Sequence, residues 1–302
     1  MPLLKENTQN DYMLYILRFH KIIGDKKAIN IVKEDIQSFV DWIRGKGLSA
    51  SSIQNHLAAI SAVFTYGVKT GVIEDNPVRK FDKSYVGKSK ERIRFLIKDE
   101  YKLLLENCSY ELLQQAMILA VETGLRKSEL MSLKWSDQID FRKKEITVFY
   151  TKNKKHRTIP ISPIAFEVLK IIYKNKKKYE RLNNKICDYV FFNFNTWKRI
   201  KSFKKSFATA KKRADIEDFR WHDFRHTFAT WGLKGWFTWQ KYPMDLYKLQ
   251  RWLGHSDIKT TQRYAHLEIQ DLHSLIDYSV VIQWEGVKWS EIKIRKSQYK
   301  TL

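Results

Sequence analysis

The sequence predicts a mainly α chain with one small β-hairpin sheet, an α+β arrangement in two domains. Three observations point there. Apolar residues recur at helical spacing through the first eighty residues and again from Asp99 onward. One run of β-branched and aromatic residues reads as a strand pair. Between the two helical regions lies a basic stretch with little apolar periodicity.

Taken in chain order, three helical patterns fill the first eighty residues, the clearest being Ile36, Phe39, Val40, Ile43 and then Ile53, Leu57, Ile60, Phe64. Thr8 is the expected cap of the first helix and Ser49 or Ser51 of the third, while Gly24, Gly47 and Gly71 stand where helices should stop. Residues 1–80 therefore read as a small helical bundle. Asn76-Pro77 breaks the pattern, and residues 79–98 carry eight basic side chains against Asp82 and Glu91, so 81–92 is assigned to a basic linker.

The second domain is placed at 93–278. Leu103, Leu104, Leu112, Leu113, Ala116 and Leu119 continue the helical spacing up to Gly124. Ile146–Tyr150, a polar turn at Asn153–Lys155 and Arg157–Ile161 predict a hairpin, after which Ser162-Pro163 restarts a helix. Residues 170–213 hold 15 Lys or Arg against Glu180 and Asp188, interrupted by Phe191, Phe192, Phe194, Trp197, Phe203 and Phe207. Interleaved aromatics of this kind either stack on bases or fill a core. The last stretch, 279–302, is a mixed tail with Trp284 and Trp289, a candidate for docking on a second protomer.

A chain of 302 residues supports about two ordinary domains, each with its own core. Cys108 and Cys187 are far apart and lack metal-ligand spacing, so they read as reduced thiols. The amino terminus lacks the apolar core of a signal peptide and no run approaches membrane-spanning length, which sets the expectation of a cytoplasmic, nucleoid-associated protein. Fifty-six Lys plus Arg against 33 Asp plus Glu leave a formal charge of +23, which calls for a polyanionic partner. A membrane surface or RNA would also attract that charge, but neither a basic amphipathic anchor helix nor a lipidation motif is visible, so double-stranded DNA leads.

One set of motifs carries chemistry. Thr123-Gly124-Leu125-Arg126-Lys127-Ser128-Glu129-Leu130 resembles the first catalytic-arginine box of the tyrosine recombinases, the phage-integrase family. Its five matched positions would coincide by chance in on the order of one chain in ten thousand. The remaining boxes follow in the family's order: Lys152 beside the hairpin turn, His222-Asp223-Phe224-Arg225-His226, Leu253-Gly254-His255, and Tyr264 within Gln262-Arg263-Tyr264-Ala265-His266. The resemblance covers the second domain nearly throughout. The first domain is similar in size and pattern to the family's core-binding, SAM-like domain, and the absence of an arm-binding domain ahead of it resembles the simple, Xer-like members.

The resemblance implies a site-specific recombinase, an integrase or resolvase of a mobile element, that cleaves and rejoins DNA through a 3′-phosphotyrosyl intermediate. Tyr264 would be the nucleophile. Negative charge growing on the non-bridging phosphate oxygens suits the guanidinium forks of Arg126 and Arg225. His222 would accept the phenol proton or bind the phosphate, His255 would donate to the phosphate, and Lys152 would protonate the departing 5′ oxygen. Glu129 would brace Arg126 or His222. No cofactor or metal is implied. The partners implied are duplex DNA, further copies of the chain up to a tetramer in the synapse, and a directionality factor.

Other readings remain beside this one. A type IB topoisomerase uses a similar Arg, Lys, His and Tyr set, although Gly254-His255 favours recombinases. A non-catalytic DNA-binding protein of the same fold would share charge and aromatic content. His222 and His226 have the i, i+4 spacing of zinc helices, but Arg225 would stand beside the metal. A metal-dependent nuclease would need clustered carboxylates, and the acidic residues are scattered. The segment between Arg225 and His255, with Gly235-Trp236-Phe237-Thr238-Trp239, is longer than the family's usual one. It reads as a surface excursion or as packing on the domain or on a neighbour.

Overall fold

A computed structural model describes residues 6–87, 92–149 and 156–265, with two short strands beyond them. Apolar stripes on successive helices need a common surface to bury themselves, and the chain meets that need twice, in units spanning Met1–Arg92 and Ile93–Leu302.

The first unit is a bundle of α1 (Glu6–Ile23), α2 (Lys33–Gly45), α3 (Ala50–Lys69) and the short α4 (Pro77–Lys80). The expected stripe residues Ile36, Phe39, Val40, Ile43, Ile53, Leu57, Ile60 and Phe64 form its core. Ser49 caps α3 through the Ser52 N–H, whereas Thr8 lies inside α1 rather than at its cap. Asn76 caps α4 through the Val78 N–H and ties it to α3 by donating to the Ser61 carbonyl. The stretch read as linker starts as part of this bundle: Phe81 and Val86 are buried in its core, beside a 3-10 turn over Lys83–Val86. Two apolar side chains at that spacing are too few for a periodicity signal, yet enough to pin one turn.

In the second unit α5 (Lys98–Glu106) and α6 (Glu111–Thr123) are followed by short α7 (Lys127–Met131) and α8 (Trp135–Gln138). Three antiparallel strands come next, in the order β1 (Ile139–Asp140), β2 (Glu145–Phe149) and β3 (His156–Pro160). The expected hairpin is β2–β3, with Ile146 opposite Ile159 and Phe149 opposite His156, and β1 adds an edge. Its tip, with Lys152, lies outside the described residues. The helices α9 (Pro163–Asn183), α10 (Lys204–Arg213), α11 (Asp223–Lys234), α12 (Leu246–Leu253) and α13 (Lys259–Gln262) complete the unit. Ser162 caps α9 and Pro163 opens it, as their order predicts.

The hydrophobic centre is α6, buried on nearly every side between α9 and α11. Phe191, Phe192, Phe203 and Phe207 are buried, so these four aromatics of the basic tract are core rather than base-stacking surface. Of the tail, β4 (Val280–Val281) pairs with β5 (Arg295–Lys296), and its other residues lie outside the described set. None of the described helices is long and apolar enough to cross a membrane.

Candidate active site

The site forms where α6 and α12 end. Gly124 terminates α6 at φ +63°, and Gly254 terminates α12 at φ +66°, both in the left-handed region. At Gly124 a side chain is also excluded by space, because a Cβ there would meet Phe228 Cδ1 at 2.6 Å. The helix ends leave carbonyl oxygens without intrahelical donors. Arginines take them up.

Three consecutive carbonyls at the carboxyl end of α12 receive three guanidiniums. Arg157 Nε donates to the Trp252 carbonyl at 2.9 Å, Arg225 Nη2 to that of Leu253 at 2.6 Å and Arg126 Nη2 to that of Gly254 at 3.5 Å. A second bond from Arg225 Nη1 reaches the Gly124 carbonyl at 2.8 Å. The negative end of the α12 dipole suits all three cations. Arg225 is almost wholly buried and is held by carbonyls, so burial, with the nearby Arg126 charge, lowers its pKa to about 9.

Glu129 organises the other two arginines. Its side chain accepts from the Arg126 backbone N–H and from Arg126 Nη1, each at 2.9 Å. Arg157 grips the same carboxylate with Nη2 at 2.8 Å and Nη1 at 3.2 Å. Burial pushes this carboxyl up, but the bonds and charge of Arg157, followed by Arg126, prevail and hold it at about 2. The expectation that Glu129 braces Arg126 or His222 thus meets the Arg126 geometry. Arg157 had been read only as a strand residue. Alternation along β3 puts it on the face of buried Ile159, where its side chain is buried with that of Glu129 rather than solvated.

Tyr264 follows α13 and is 2% exposed. Its hydroxyl lies 2.5 Å from His226 Nδ1, the residue after Arg225 in the sequence. Burial raises the phenol to about 12, against the attraction of Arg225 and Arg263, and burial likewise lowers His226 to about 4. The pair is therefore neutral near pH 7, and in the Nε2-protonated tautomer the phenol donates to Nδ1. The sequence offers His222 as acceptor of this proton or as a phosphate ligand. The His222 ring instead stands edge-on to that of His226, 5.2 Å away, with one side open to solvent. Partial burial, then the charge of Arg225, lowers its pKa.

His255 is oriented by Thr261, with Nδ1 2.8 Å from Oγ1, and burial followed by the charges of Arg225 and Arg126 holds it at about 3. The Arg225 charge acts on His222, His255 and Tyr264, and that of Arg126 on His222, His255 and Arg225, which brings these five residues into one neighbourhood, whereas Lys152 is outside the described residues. Guanidiniums fixed on one helix end, with Arg225 near enough for its charge to act on the buried Tyr264, suit an anionic ester, the class of site on which tyrosine-type strand exchange depends.

Comparison with known proteins agrees. The pattern of the phage integrase family matches residues 94–271, and that of the phage integrase N-terminal SAM-like domain matches 3–74. Tyrosine recombinase XerD of Rickettsia bellii (strain RML369-C) is 30% identical over 288 residues, covering 89% of this chain and 91% of its own. Among solved structures, the Tn1549 transposon integrase in complex with a circular intermediate DNA superposes with a TM-score of 0.71 at 21% identity, covering 89% and 95%. A lambda integrase tetramer bound to a Holliday junction gives 0.66 at 20% identity, covering 86% and 72%. The chain belongs to the phage integrase family, the tyrosine-type site-specific recombinases.

Proposed function

We propose that the chain cleaves and rejoins duplex DNA at a specific site through Tyr264, with Arg126 and Arg225 as the phosphate clamp. The observation that carries this is the pair of guanidiniums fixed on successive carbonyls at the end of α12, with Arg225 close enough to the buried Tyr264 phenol for its charge to act on it. The phenol oxygen attacks phosphorus, the bond to the 5′ oxygen breaks, and a 3′-phosphotyrosyl ester remains. The charge gathered on the non-bridging oxygens falls to the two arginines, and His255 adds a donor. The phenol proton passes to an imidazole. His222 is expected to accept that proton or to bind the phosphate; the 2.5 Å contact favours His226 as the acceptor and leaves His222 the phosphate role. Lys152 delivers a proton to the leaving 5′ oxygen. Attack by a second strand's 5′ hydroxyl reverses the step, so no nucleotide is consumed.

Exchange between two duplexes needs several protomers, and the lambda integrase tetramer on a Holliday junction supports a tetrameric synapse for this chain. A directionality factor and residence on the nucleoid belong to the same reading, as does carriage by a mobile element.

The test is Tyr264→Phe on a nicked duplex that carries the bound site, scored for covalent protein–DNA adduct. The variant keeps the ring, so it should bind DNA within about threefold of the parent and leave no adduct. An adduct formed by Tyr264→Phe would overturn the nucleophile assignment.

A further inference from the structure

The long segment between Arg225 and His255 exposes residues 241–243 but folds back on its own unit on either side of them. After α11 the chain reverses at Gly235, and the Met244 N–H returns to the Gly232 carbonyl at 2.8 Å, closing the excursion on the helix it left. Phe237 is buried against Phe228 and Trp231, and Trp239 continues the layer, its ring stacked on Phe237 at 4.8 Å and on Trp252 at 6.1 Å.

The Trp239 indole then does something that packing alone does not require. Its Nε1 donates at 2.8 Å to Oε2 of Glu122, a carboxyl buried in the last turn of α6, and Ser162 Oγ donates to the same oxygen at 2.5 Å. Burial raises the pKa of Glu122, so such a group is costly unless its bonds are kept. One residue on, the Thr123 carbonyl accepts from Trp252 Nε1 at 3.0 Å. The next residue is Gly124, whose carbonyl holds Arg225. On the other side, Trp252 is the first of three consecutive residues at the end of α12 whose carbonyls hold Arg157, Arg225 and Arg126.

Trp239 therefore bolts the last turn of α6 to the last turn of α12, the two helix ends whose carbonyls receive the guanidiniums. We infer that Trp239 and Glu122 are positioning residues for strand cleavage, fixing through Trp252 the carbonyls on which Arg126 and Arg225 are held. The inference rests on the phosphate-clamp reading of Arg126 and Arg225. A clamp displaced by about 1 Å is expected to lose roughly a hundredfold in rate with little loss of binding.

The variants are Trp239→Phe, which keeps the stacked ring and loses the N–H, Glu122→Gln, which keeps the shape and loses the charge, and Trp239→Ala. Each is measured for covalent adduct on a nicked duplex carrying the site recovered by selection from random sequences. Rate at saturating DNA, half-saturation and melting temperature are read separately. The rate should fall about tenfold for Trp239→Phe and Glu122→Gln and roughly a hundredfold for Trp239→Ala, with half-saturation unchanged within about twofold. Partial retention by the phenylalanine separates stacking from the hydrogen bond. If Trp239→Phe and Glu122→Gln keep the parental rate per folded molecule and lose only melting temperature, the segment merely braces the fold and the inference fails. Tyr264→Phe runs alongside. An adduct from that variant would overturn the site reading instead, a result separable from any outcome at Trp239.

Discussion

The Tyr264 hydroxyl and His226 Nδ1 lie 2.5 Å apart, in a pocket where the phenol is almost sealed from water. Keeping both groups neutral ties stability to pH. His226 titrates at about 4 in the folded chain, against about 6.5 when unfolded. Below the unfolded value the unfolded chain binds a proton that the folded chain refuses, so stability present above about 6.5 is lost as pH falls toward 4. His255, held at about 3, acts in the same direction.

The melting temperature should thus stay level between about pH 7 and 8 and drop steadily from about 6.5 to 4. His226→Phe keeps the ring and removes the titration, so its decline over that range should be shallower, whatever its stability at pH 7. A parental melting temperature that does not change between pH 7 and 4.5 would sink this account.

Arg157 supplies the second prediction. Its fork holds Glu129 twice and the Trp252 carbonyl once, and Glu129 in turn aims Arg126. Arg157→Met leaves the buried Glu129 carboxylate with Arg126 alone, and breaking such a pair costs about 3–5 kcal/mol. Cleavage at saturating DNA should drop by roughly ten- to a hundredfold, as for other partners that orient a catalytic group. Arg157→Lys should rescue little, because one ammonium cannot make a planar fork's three bonds. Full cleavage by Arg157→Met would show that Glu129 needs no second arginine.

What sequence could and could not show divides along a physical line. The stripes of α2, α3, α5 and α6 were legible because burial repeats at helical spacing, and the catalytic boxes because side-chain identity is written directly. Backbone acceptors are not written there. Nothing in Trp252-Leu253-Gly254 announces three carbonyls that receive arginines more than 25 residues away in the chain. His226 stands in the sequence as the last residue of its box and as half of a zinc-like spacing, with no role assigned, since its partner Tyr264 is 38 residues on. Arg157 and Trp239 were hidden for the same reason: each is defined by a contact made in three dimensions.

The third prediction follows from the charge of +23. Affinity for duplex DNA should fall steeply with salt, the logarithmic slope being about −0.9 per phosphate contact. Arg126→Ala should change that slope by about one at most while abolishing adduct formation, which separates one phosphate clamp from the diffuse field. Binding that ignores salt between about 50 and 200 mM would argue against phosphate contacts as its basis.

The last prediction concerns Lys152, assigned from its place beside the hairpin turn and from the family's order of motifs. A departing 5′ oxygen leaves as a costly alkoxide unless it receives a proton, and a lysine ammonium can supply one. Replacing that bridging oxygen by sulfur removes the need, because a thiolate leaves unprotonated. On ordinary DNA, Lys152→Ala should cleave slowly; on the sulfur substrate its deficit should largely vanish. Arg126→Ala should stay defective on both, since the charge it meets sits on non-bridging oxygens that the replacement leaves untouched. Lys154 and Lys155 share the turn and serve as the internal comparison. If the sulfur substrate rescued Lys154→Ala or Lys155→Ala while Lys152→Ala cleaved normally throughout, the general acid would be that neighbouring lysine.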